Sequence, residues 1–292
     1  KGAFAASNGD TLTTGWKIDV GMENFARAFT DPSLRGPLLG VILWTFTFAV
    51  ASVALTFAMG LFLAMTFNRE DLRGKKVYRI LMILPYAFPA FLSGLVWSGI
   101  LNPQFGWLNQ TLLGGATIGW LTDPTLAKIS VLVVNLWLGF PYMFLVCTGA
   151  LQSLPTELDE AARMDGGRGP STILVEAARM DGAGPWRVFR AIKLPLLLVS
   201  IAPLLISSFA FNFNNFNVIF MLTGGGPRFA DTDRDIGATD ILITLVYKVA
   251  FGQGTGRDYG LASALAIIIF IIVATVSAIS FKQTKALEDV NS

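Results

Sequence analysis

The sequence lacks histidine altogether and contains a single cysteine. The absence of histidine removes the commonest general base, proton shuttle and metal ligand of proteins. Cys147, the one cysteine, has no partner for a disulfide within the chain and lies in an apolar run. We therefore expect no redox chemistry, no metal site and no cofactor bound by this chain.

Charged residues are also scarce. They make up 14% of the 292 residues, whereas about a quarter is usual in soluble domains, and hydrophobic residues make up 53%. A soluble chain of this length could not cover so many apolar residues without exposing large patches. The net charge of +2 is too small to indicate a nucleic-acid partner. The composition therefore predicts a protein of the lipid bilayer.

Stretches long enough to cross a bilayer and free of charged residues occur five times. A membrane-crossing helix needs about 20 mostly apolar residues. The five predicted spans are Pro37–Phe67, Ile80–Leu101, Ile129–Leu154, Leu194–Leu222 and Tyr259–Phe281. A weaker amphipathic piece, Asp240–Phe251, contains Lys248 and predicts an interfacial or partly inserted helix. The predicted fold class is all-α, a polytopic transmembrane helical bundle.

Lysine and arginine concentrate on one side of these spans. Five lie in the loop Asn68–Arg79, six in the loop around 155–193 and two in the C-terminal tail. Basic residues are retained in the cytoplasm, which predicts an external N-terminus and a cytoplasmic C-terminus. We expect an external segment at 1–36, a transmembrane domain at 37–281 with a cytoplasmic loop at about 155–193, and a cytoplasmic tail at 282–292.

Uncharged polar and aromatic side chains lie inside the predicted spans. They are Tyr86 in the second span, Asn135 and Tyr142 in the third, and Ser208, Asn212 and Asn215 in the fourth. The last three are spaced i, i+4 and i+7, on one helix face. Amides, hydroxyls and ring faces suit a neutral sugar. They also suit hydrogen bonding between neighbouring helices, and the chemistry of the residues leaves both interpretations open.

The sequence shows no source of energy for moving a solute across a membrane. None of the five predicted spans contains Asp, Glu, Lys or Arg, which argues against a proton relay and against an ionic substrate. A sodium-coupled mechanism that uses backbone carbonyls is not excluded by composition. The sequence has no GxxxxGK[ST] motif for binding a nucleotide. If transport is driven by ATP, the ATP must be bound by another chain.

The loop between the third and fourth predicted spans carries a longer motif. It reads Glu-Ala-Ala at 176–178, three residues, Gly182, nine residues, Ile192, one residue and Leu194-Pro195. This pattern resembles the EAA loop of ABC importer permeases at every motif position. The resemblance implies the type I (MetI-like) permease fold and a loop that docks on an ATPase. The implied coupling residues are Glu176, Ala177, Ala178, Asp181, Gly182, Phe189, Ile192 and Pro195.

The motif begins twice. EAARMDG occurs at Glu160–Gly166 and again at Glu176–Gly182, 16 residues later. Only the second copy continues into the typical exit that leads to the fourth span. We therefore expect the second copy to dock, and a tandem duplication or an assembly error explains the repeat better than two docking sites do.

Three further stretches resemble the permease subunits of maltose and maltodextrin importers. They are Leu84–Pro89, Asn135–Tyr142 and Phe211–Asn217, the last followed by Leu222–Pro227. The resemblance implies that the sugar site is lined by Tyr86, Asn135, Leu138, Gly139, Ser208, Asn212 and Asn215, with Tyr142 beside them. Ala90 departs from the serine of those subunits, which bears on the exact sugar. The resemblance also implies a C-terminal part of such a subunit that lacks the preceding spans.

The resemblance implies a transporter subunit of the bacterial inner membrane and not an enzyme. Its implied partners are a second permease subunit, a homodimeric ATPase that binds ATP and magnesium, and a periplasmic sugar-binding protein. One alternative is a permease for another neutral solute or oligosaccharide. Another, of a different class, is a membrane scaffold or truncated fragment that transports nothing.

Overall fold

The computed structural model describes residues 20–67, 74–153, 189–190, 194–230, 232–252 and 257–291. Its helices are α1 (Glu23–Thr30), α2 (Pro32–Phe67), α3 (Lys75–Ile83), α4 (Ala90–Ile100), α5 (Pro124–Ser153), α6 (Leu194–Phe213), α7 (Phe216–Leu222), α8 (Leu242–Phe251) and α9 (Tyr259–Asn291), with a 3₁₀ turn at Leu84–Ala87 and a π turn at Leu108–Leu112. Extended pairing within these ranges is limited to one isolated bridge, between Arg228 and Gly237. The predicted all-α class is confirmed.

Four segments of the described chain are long and apolar enough to cross a membrane: α2, α5, α6 together with α7, and α9. The bent pair formed by α3 and α4 makes a fifth if it is counted as one span. The prediction of five spans is confirmed in this sense, by length and composition.

Helix α2 begins at Pro32, five residues before the predicted start of the first span. Proline suits the first position of a helix because its missing N–H needs no partner there. The Asp31 carboxylate accepts a hydrogen bond from the Ser33 N–H at 2.9 Å and pairs with Arg234 at 2.9 Å. Burial opposes ionisation of this carboxyl, but these hydrogen bonds and the charge of Arg234 outweigh it, so the pKa of Asp31 is lowered.

The chain divides into two compact units. The first comprises residues 1–51, 89–135 and 210–276, and the second comprises 52–88, 136–209 and 277–292. Four long helices, α2, α5, α6 and α9, contribute residues to both.

The core of the first unit is built from large apolar side chains with almost no exposed surface. Among them are Phe48, Phe213, Ile219, Ile241 and Leu261. Helices α4 and α7 pack closely in this unit: a Cβ added at Gly94 would come within 2.8 Å of the Met221 Cβ. The absence of a side chain at Gly94 is therefore what allows the two helices to approach.

The segment between α7 and α9 is held by a buried carboxylate. Asp240 accepts hydrogen bonds at 2.8 Å from the Gly237 N–H, the Thr244 hydroxyl and the Lys248 ammonium group. The helix predicted over Asp240–Phe251 is α8, and its lysine is paired inside the protein. Whether α8 lies at the membrane interface stays a prediction.

The second unit has a core where α2, α5 and α6 meet. Its buried members include Leu61, Phe144, Cys147, Leu197 and Ile201. Cys147 is a free thiol inside this cluster, as expected of a small hydrophobic residue. Helices α2 and α5 cross closely at a second glycine, Gly60, where an added Cβ would lie 2.6 Å from the backbone carbon of Met143.

Candidate functional site

The fourth predicted span is broken where its polar residues cluster. Helix α6 ends at Phe213 and α7 begins at Phe216. Asn214 and Asn215 occupy the break. The chain tightens here: the Asn214 N–H donates to the Phe211 carbonyl at 3.2 Å, and the Asn215 N–H donates to the Asn212 carbonyl at 3.1 Å. These are i to i−3 bonds in place of the i to i−4 bonds of an α-helix.

Three asparagine side chains meet at this break. The Asn135 Nδ2 donates to the Asn212 Oδ1 at 2.8 Å, and the Asn215 Nδ2 donates to the Asn135 Oδ1 at 2.9 Å. Their exposed fractions are only 5% to 7%. We call these residues the amide triad. All three belong to the first unit.

The triad brings together three residues, from two predicted spans, that the family resemblance assigns to the sugar site. Asn135 lies on α5, which is continuous from Pro124 to Ser153. Asn212 lies in the last turn of α6, and Asn215 immediately precedes α7. Because buried amides must find hydrogen-bond partners, the three side chains satisfy one another. This geometry fits the helix-bonding interpretation of these residues, and it leaves the amides of Asn135 and Asn215 able to make further hydrogen bonds.

The predicted site residues of the second unit include two tyrosines, which present aromatic rings in place of amides. The rings of Tyr86 and Tyr142 lie nearly parallel, at an angle of 23°, with centroids 6.5 Å apart. Tyr86 is 57% exposed and Tyr142 is half-buried. Ring faces of this kind can contact the C–H groups of a sugar. Ser208, on α6, is buried.

Leu138 and Gly139 are the remaining predicted solute residues, and both are half-buried. A Cβ added at Gly139 would lie 2.9 Å from the Thr56 Cγ2 on α2. The glycine therefore permits close packing of α5 on α2. Its contact with a solute stays a prediction.

The electrostatics of the site follow from the absence of acidic and basic side chains in two of the segments that carry it. The sequence from 129 to 154 and from 194 to 222 contains no Asp, Glu, Lys, Arg or His. Among the described residues there is no cluster of three or more His, Cys, Asp or Glu that could hold a metal ion. Amides and phenol rings can recognise hydroxyl and C–H groups, and they offer no ionic partner to a charged solute.

Most of the predicted ATPase-coupling residues lie outside the described residues: Glu176, Ala177, Ala178, Asp181, Gly182 and Ile192. Phe189 is described, and its half-buried ring packs against the core cluster of the second unit. Pro195 is the second residue of α6, in the first turn, where a missing N–H costs nothing.

Sequence reasoning missed two residues of this region. The first is Asn214, whose Nδ2 donates to the Ala210 carbonyl at 3.2 Å and so caps the end of α6. Phe211, next to Asn212, presents a ring that is 69% exposed. The run of asparagines in Phe211–Asn217 was the available signal for Asn214, because asparagine favours helix ends over helix interiors.

Comparisons with known proteins give a family, relatives and similar structures. The family described as binding-protein-dependent transport system inner membrane component matches residues 56–173 and 168–284. The two matches overlap, and each contains one copy of EAARMDG, at Glu160–Gly166 and at Glu176–Gly182.

Two curated relatives carry the same name, maltose/maltodextrin transport system permease protein MalF. The protein from Escherichia coli strain K12 is 44% identical over 281 residues, which is 96% of this chain and 50% of the relative. The protein from Salmonella typhimurium is 42% identical over 278 residues, which is 94% of this chain and 51% of the relative. The chain spans about half the length of the curated relatives it matches.

Two solved structures have a similar fold. One is a bacterial ABC transporter involved in the import of the acidic polysaccharide alginate, with a TM-score of 0.71 at 20% identity, covering 92% of this chain and 85% of that one. The other is an amino acid ABC transporter with histidines, with a TM-score of 0.55 at 15% identity, covering 91% of this chain and 99% of that one. At these identities the likeness concerns the fold alone.

Proposed function

Because the chain belongs to the family of binding-protein-dependent transport system inner membrane components, we propose that it is a permease subunit of an ATP-driven ABC sugar importer whose substrate is maltose or a maltodextrin. In this role the chain is a type I (MetI-like) transporter subunit and not an enzyme. The observation that carries the proposal is the family match over residues 56–173 and 168–284. The amide triad adds uncharged polar groups at the break of a membrane span. The relatives named MalF support the choice of sugar.

The chemistry of the proposed site suits a sugar. A sugar hydroxyl both donates and accepts hydrogen bonds, so it can replace either neighbour of a triad amide without leaving that amide unpaired. Exposed rings such as Tyr86 and Phe211 offer faces for the C–H groups of the sugar. The solute contacts are proposed for Tyr86, Asn135, Leu138, Gly139, Tyr142, Ser208, Asn212 and Asn215.

The proposed energy source lies on other chains. The partners are a second permease subunit similar to MalG, a homodimeric ATPase similar to MalK that carries ATP and magnesium, and a periplasmic binding protein similar to maltose-binding protein. The chain is a multi-pass protein of the bacterial inner membrane, with its N-terminal segment outside and its C-terminus in the cytoplasm. Closure of the ATPase pair moves the docked loop, and the spans then expose the site to each side of the membrane in turn.

The direct test is uptake of labelled maltose into proteoliposomes that contain the assembled transporter and ATP. Asn212→Ala removes an amide from the triad and should lower the uptake rate about two- to tenfold, because one hydrogen bond is worth about 0.5–1.5 kcal/mol. The matched control is Asn217→Ala, which changes an exposed asparagine of α7 outside the triad and should keep the wild-type rate.

A panel of neutral sugars in the same assay separates the alternatives. Uptake of another oligosaccharide in place of maltose would keep the permease assignment and reject the sugar. Equal rates for Asn212→Ala and wild type would reject the triad as part of the path. No uptake of any solute, together with no ATPase co-purifying with the chain, would favour a scaffold or fragment.

The duplicated motif gives an independent test of the coupling proposal. Gly182→Trp places a bulky side chain in the second copy and should abolish uptake while ATP hydrolysis continues. Gly166→Trp makes the same change at the equivalent position of the first copy and is expected to leave uptake intact. The opposite result would assign docking to the first copy.

A further inference from the structure

The loop that joins α4 to α5, residues 101–123, carries almost no charge. The sequence from residue 80 to residue 122, which includes α4 and nearly the whole loop, contains no Asp, Glu, Lys or Arg. Charged side chains are rarely buried and mostly face water. A loop that faced bulk water would be expected to contain some of them, so their absence indicates a less polar environment.

The same loop presents large apolar side chains on its surface. Phe105 is 73% exposed, Leu112 63%, Trp107 56% and Leu113 41%. A single exposed apolar residue is common on proteins, but four of them within residues 105–113 disfavour contact with water. We call these four side chains the apolar loop residues. They fit a surface that is covered by an apolar partner.

The loop is folded around one buried asparagine. Asn109 has no exposed surface, and its Nδ2 donates to the Pro103 carbonyl at 3.1 Å and to the Ile118 carbonyl at 2.9 Å. Its Oδ1 accepts a hydrogen bond from the Trp120 indole at 2.8 Å. These bonds hold the loop in a form whose centre is polar and whose surface carries the apolar loop residues.

The loop also pairs much of its own backbone. The N–H groups of Gln110, Leu113 and Gly115 donate at 2.9–3.0 Å to carbonyls of residues 106, 108 and 109. The Phe105 N–H donates to the Asn102 Oδ1 at 3.1 Å. Backbone groups that are removed from bulk water must find partners within the protein. Internal pairing of this kind suits a segment that lies against lipid, whereas a loop in water can use the solvent.

We propose that the loop at residues 101–123 lies in the membrane–water interface and that the apolar loop residues contact lipid. The loop connects two apolar segments, α4 and α5, so both of its ends are held near the membrane surface. Tryptophan favours this layer because its ring is apolar and its N–H is polar. Irregular backbone is not tolerated against lipid in the hydrocarbon core, so the loop lies at the interface and does not cross it.

Lipid is a better match for this surface than a partner protein. The apolar side chains continue along α4, where Leu95 is 50% and Val96 62% exposed, so the loop extends an apolar surface that belongs to a membrane segment. A protein partner is usually selected by complementary charges, and the loop offers none between residues 101 and 122. The inference does not depend on which solute the protein carries.

Spin labels report directly which medium surrounds the loop. Leu112→Cys is labelled with a nitroxide in the full transport assembly in lipid nanodiscs, and power-saturation EPR measures its collisions with oxygen and with a water-soluble nickel chelate. Oxygen concentrates in lipid, and the chelate stays in water. The oxygen-to-chelate ratio should be at least about fivefold higher at Leu112→Cys than at Arg228→Cys, because an interfacial segment reaches about 5–10 Å into the headgroup and acyl boundary.

Arg228 is the aqueous reference, since its side chain is 62% exposed and charged. Wild-type protein measures background labelling, which should be small because Cys147 is buried. Equal ratios at the two positions would place the loop in water and overturn the inference. Low collision rates with both agents at Leu112→Cys would mean that protein covers the loop, and would overturn it as well. Phe105→Cys repeats the measurement if Leu112→Cys does not assemble.

The indole of Trp107 gives a second measurement without a label. Lipids with bromine atoms near the headgroup end of their acyl chains quench tryptophan fluorescence on close contact. Trp107→Phe should lower the quenched fraction of the protein fluorescence, because it removes a tryptophan that is 56% exposed. The matched control is Trp44→Phe. Trp44 is 7% exposed and its indole donates to the Thr239 carbonyl, so its loss should not lower the quenched fraction. An unchanged fraction in Trp107→Phe, or an equal decrease in the control, would overturn the inference.

Discussion

Two apolar segments of this protein are interrupted, the α3–α4 pair and the α6–α7 span, and they are interrupted by different chemistry. Between α3 and α4 the chain carries two prolines, Pro85 and Pro89, with a 3₁₀ turn between the helices. Between α6 and α7 it has no proline, and the interruption is made by Asn214 and Asn215. The first break is determined by the backbone of the break itself. The second depends on side chains, one of which lies on a distant helix.

The proline break needs only neighbouring residues. Proline fixes its own φ and disfavours the helical region for the residue before it. Phe88 is accordingly extended, with ψ at 137°, and Pro89 stands at the N-cap of α4 with φ at −58°. Hydrogen bonds from Phe88 to the Pro85 carbonyl and from Ser93 to the Pro89 carbonyl close the turn on both sides.

The asparagine break adds what the proline break lacks, which is dependence on another helix. The amide of Asn135 reaches it from α5, about 80 residues away in sequence. An interruption held in this way can respond to whatever competes for those amides. A proline break has no such polar partner to lose.

The largest expected effect concerns the surface where α4 and α7 meet, after the two interruptions. Gly94→Ala places a methyl group on α4 within 2.8 Å of the Met221 Cβ on α7. We expect a loss of about 1–3 kcal/mol in the free energy of unfolding, because neither helix can yield without losing other contacts. Reversible unfolding in mixed micelles measures this loss.

The matched control for Gly94→Ala is Gly99→Ala, on the same helix. An added Cβ at Gly99 meets no atom within 4 Å. Alanine is preferred over glycine inside helices by up to about 1 kcal/mol, so this variant should be as stable as wild type or more stable. Equal destabilisation of both variants would show that α4 is sensitive to any substitution and would remove the special role of its contact with α7.

The spans were predictable because composition alone separates them from the loops. Residues 194–222 contain no charged side chain, and their length suits a bilayer. The break within them was not predicted, since Asn214 and Asn215 differ little from other polar residues of a span when only spacing is considered. The start of α2 at Pro32 was not predicted for a similar reason. The predicted span begins after the charged residue Arg35, whereas the helix begins before that residue and includes it.

The candidate site was predictable in its residues but not in its bonds. Spacing placed Asn212 and Asn215 on one face, yet no periodicity shows that both would bond to Asn135. Such pairing depends on how α5 packs against the break, which is a tertiary property. The role of Gly139 shows the same limit, because its close approach to Thr56 becomes visible only when α2 and α5 are packed.

A smaller effect is expected from the loss of the hydrogen bond that Asn214 makes to the end of α6. Asn214→Ala removes the side chain that donates to the Ala210 carbonyl. The loss of one hydrogen bond at a helix end should cost about 0.5–1.5 kcal/mol in the free energy of unfolding, measured in the same micelles. Asn217→Ala, inside α7, serves as its control and should cost nothing, since alanine is the better helix former. A loss as large for Asn217→Ala would mean that α7 is sensitive to any change of side chain.

The smallest effect is expected at the proline break. Pro89→Ala places a residue that can adopt φ near −58° and keeps the carbonyl that accepts from Ser93. The folded chain therefore loses few interactions. The free energy of unfolding should fall by about 0.4–1 kcal/mol, chiefly because the unfolded chain has more conformational freedom without the proline. The same measurement should give a smaller loss in the free energy of unfolding for Pro89→Ala than for Asn214→Ala. The reverse order would mean that the proline break is held by contacts beyond its own backbone, and the contrast between the two interrupted segments would then disappear.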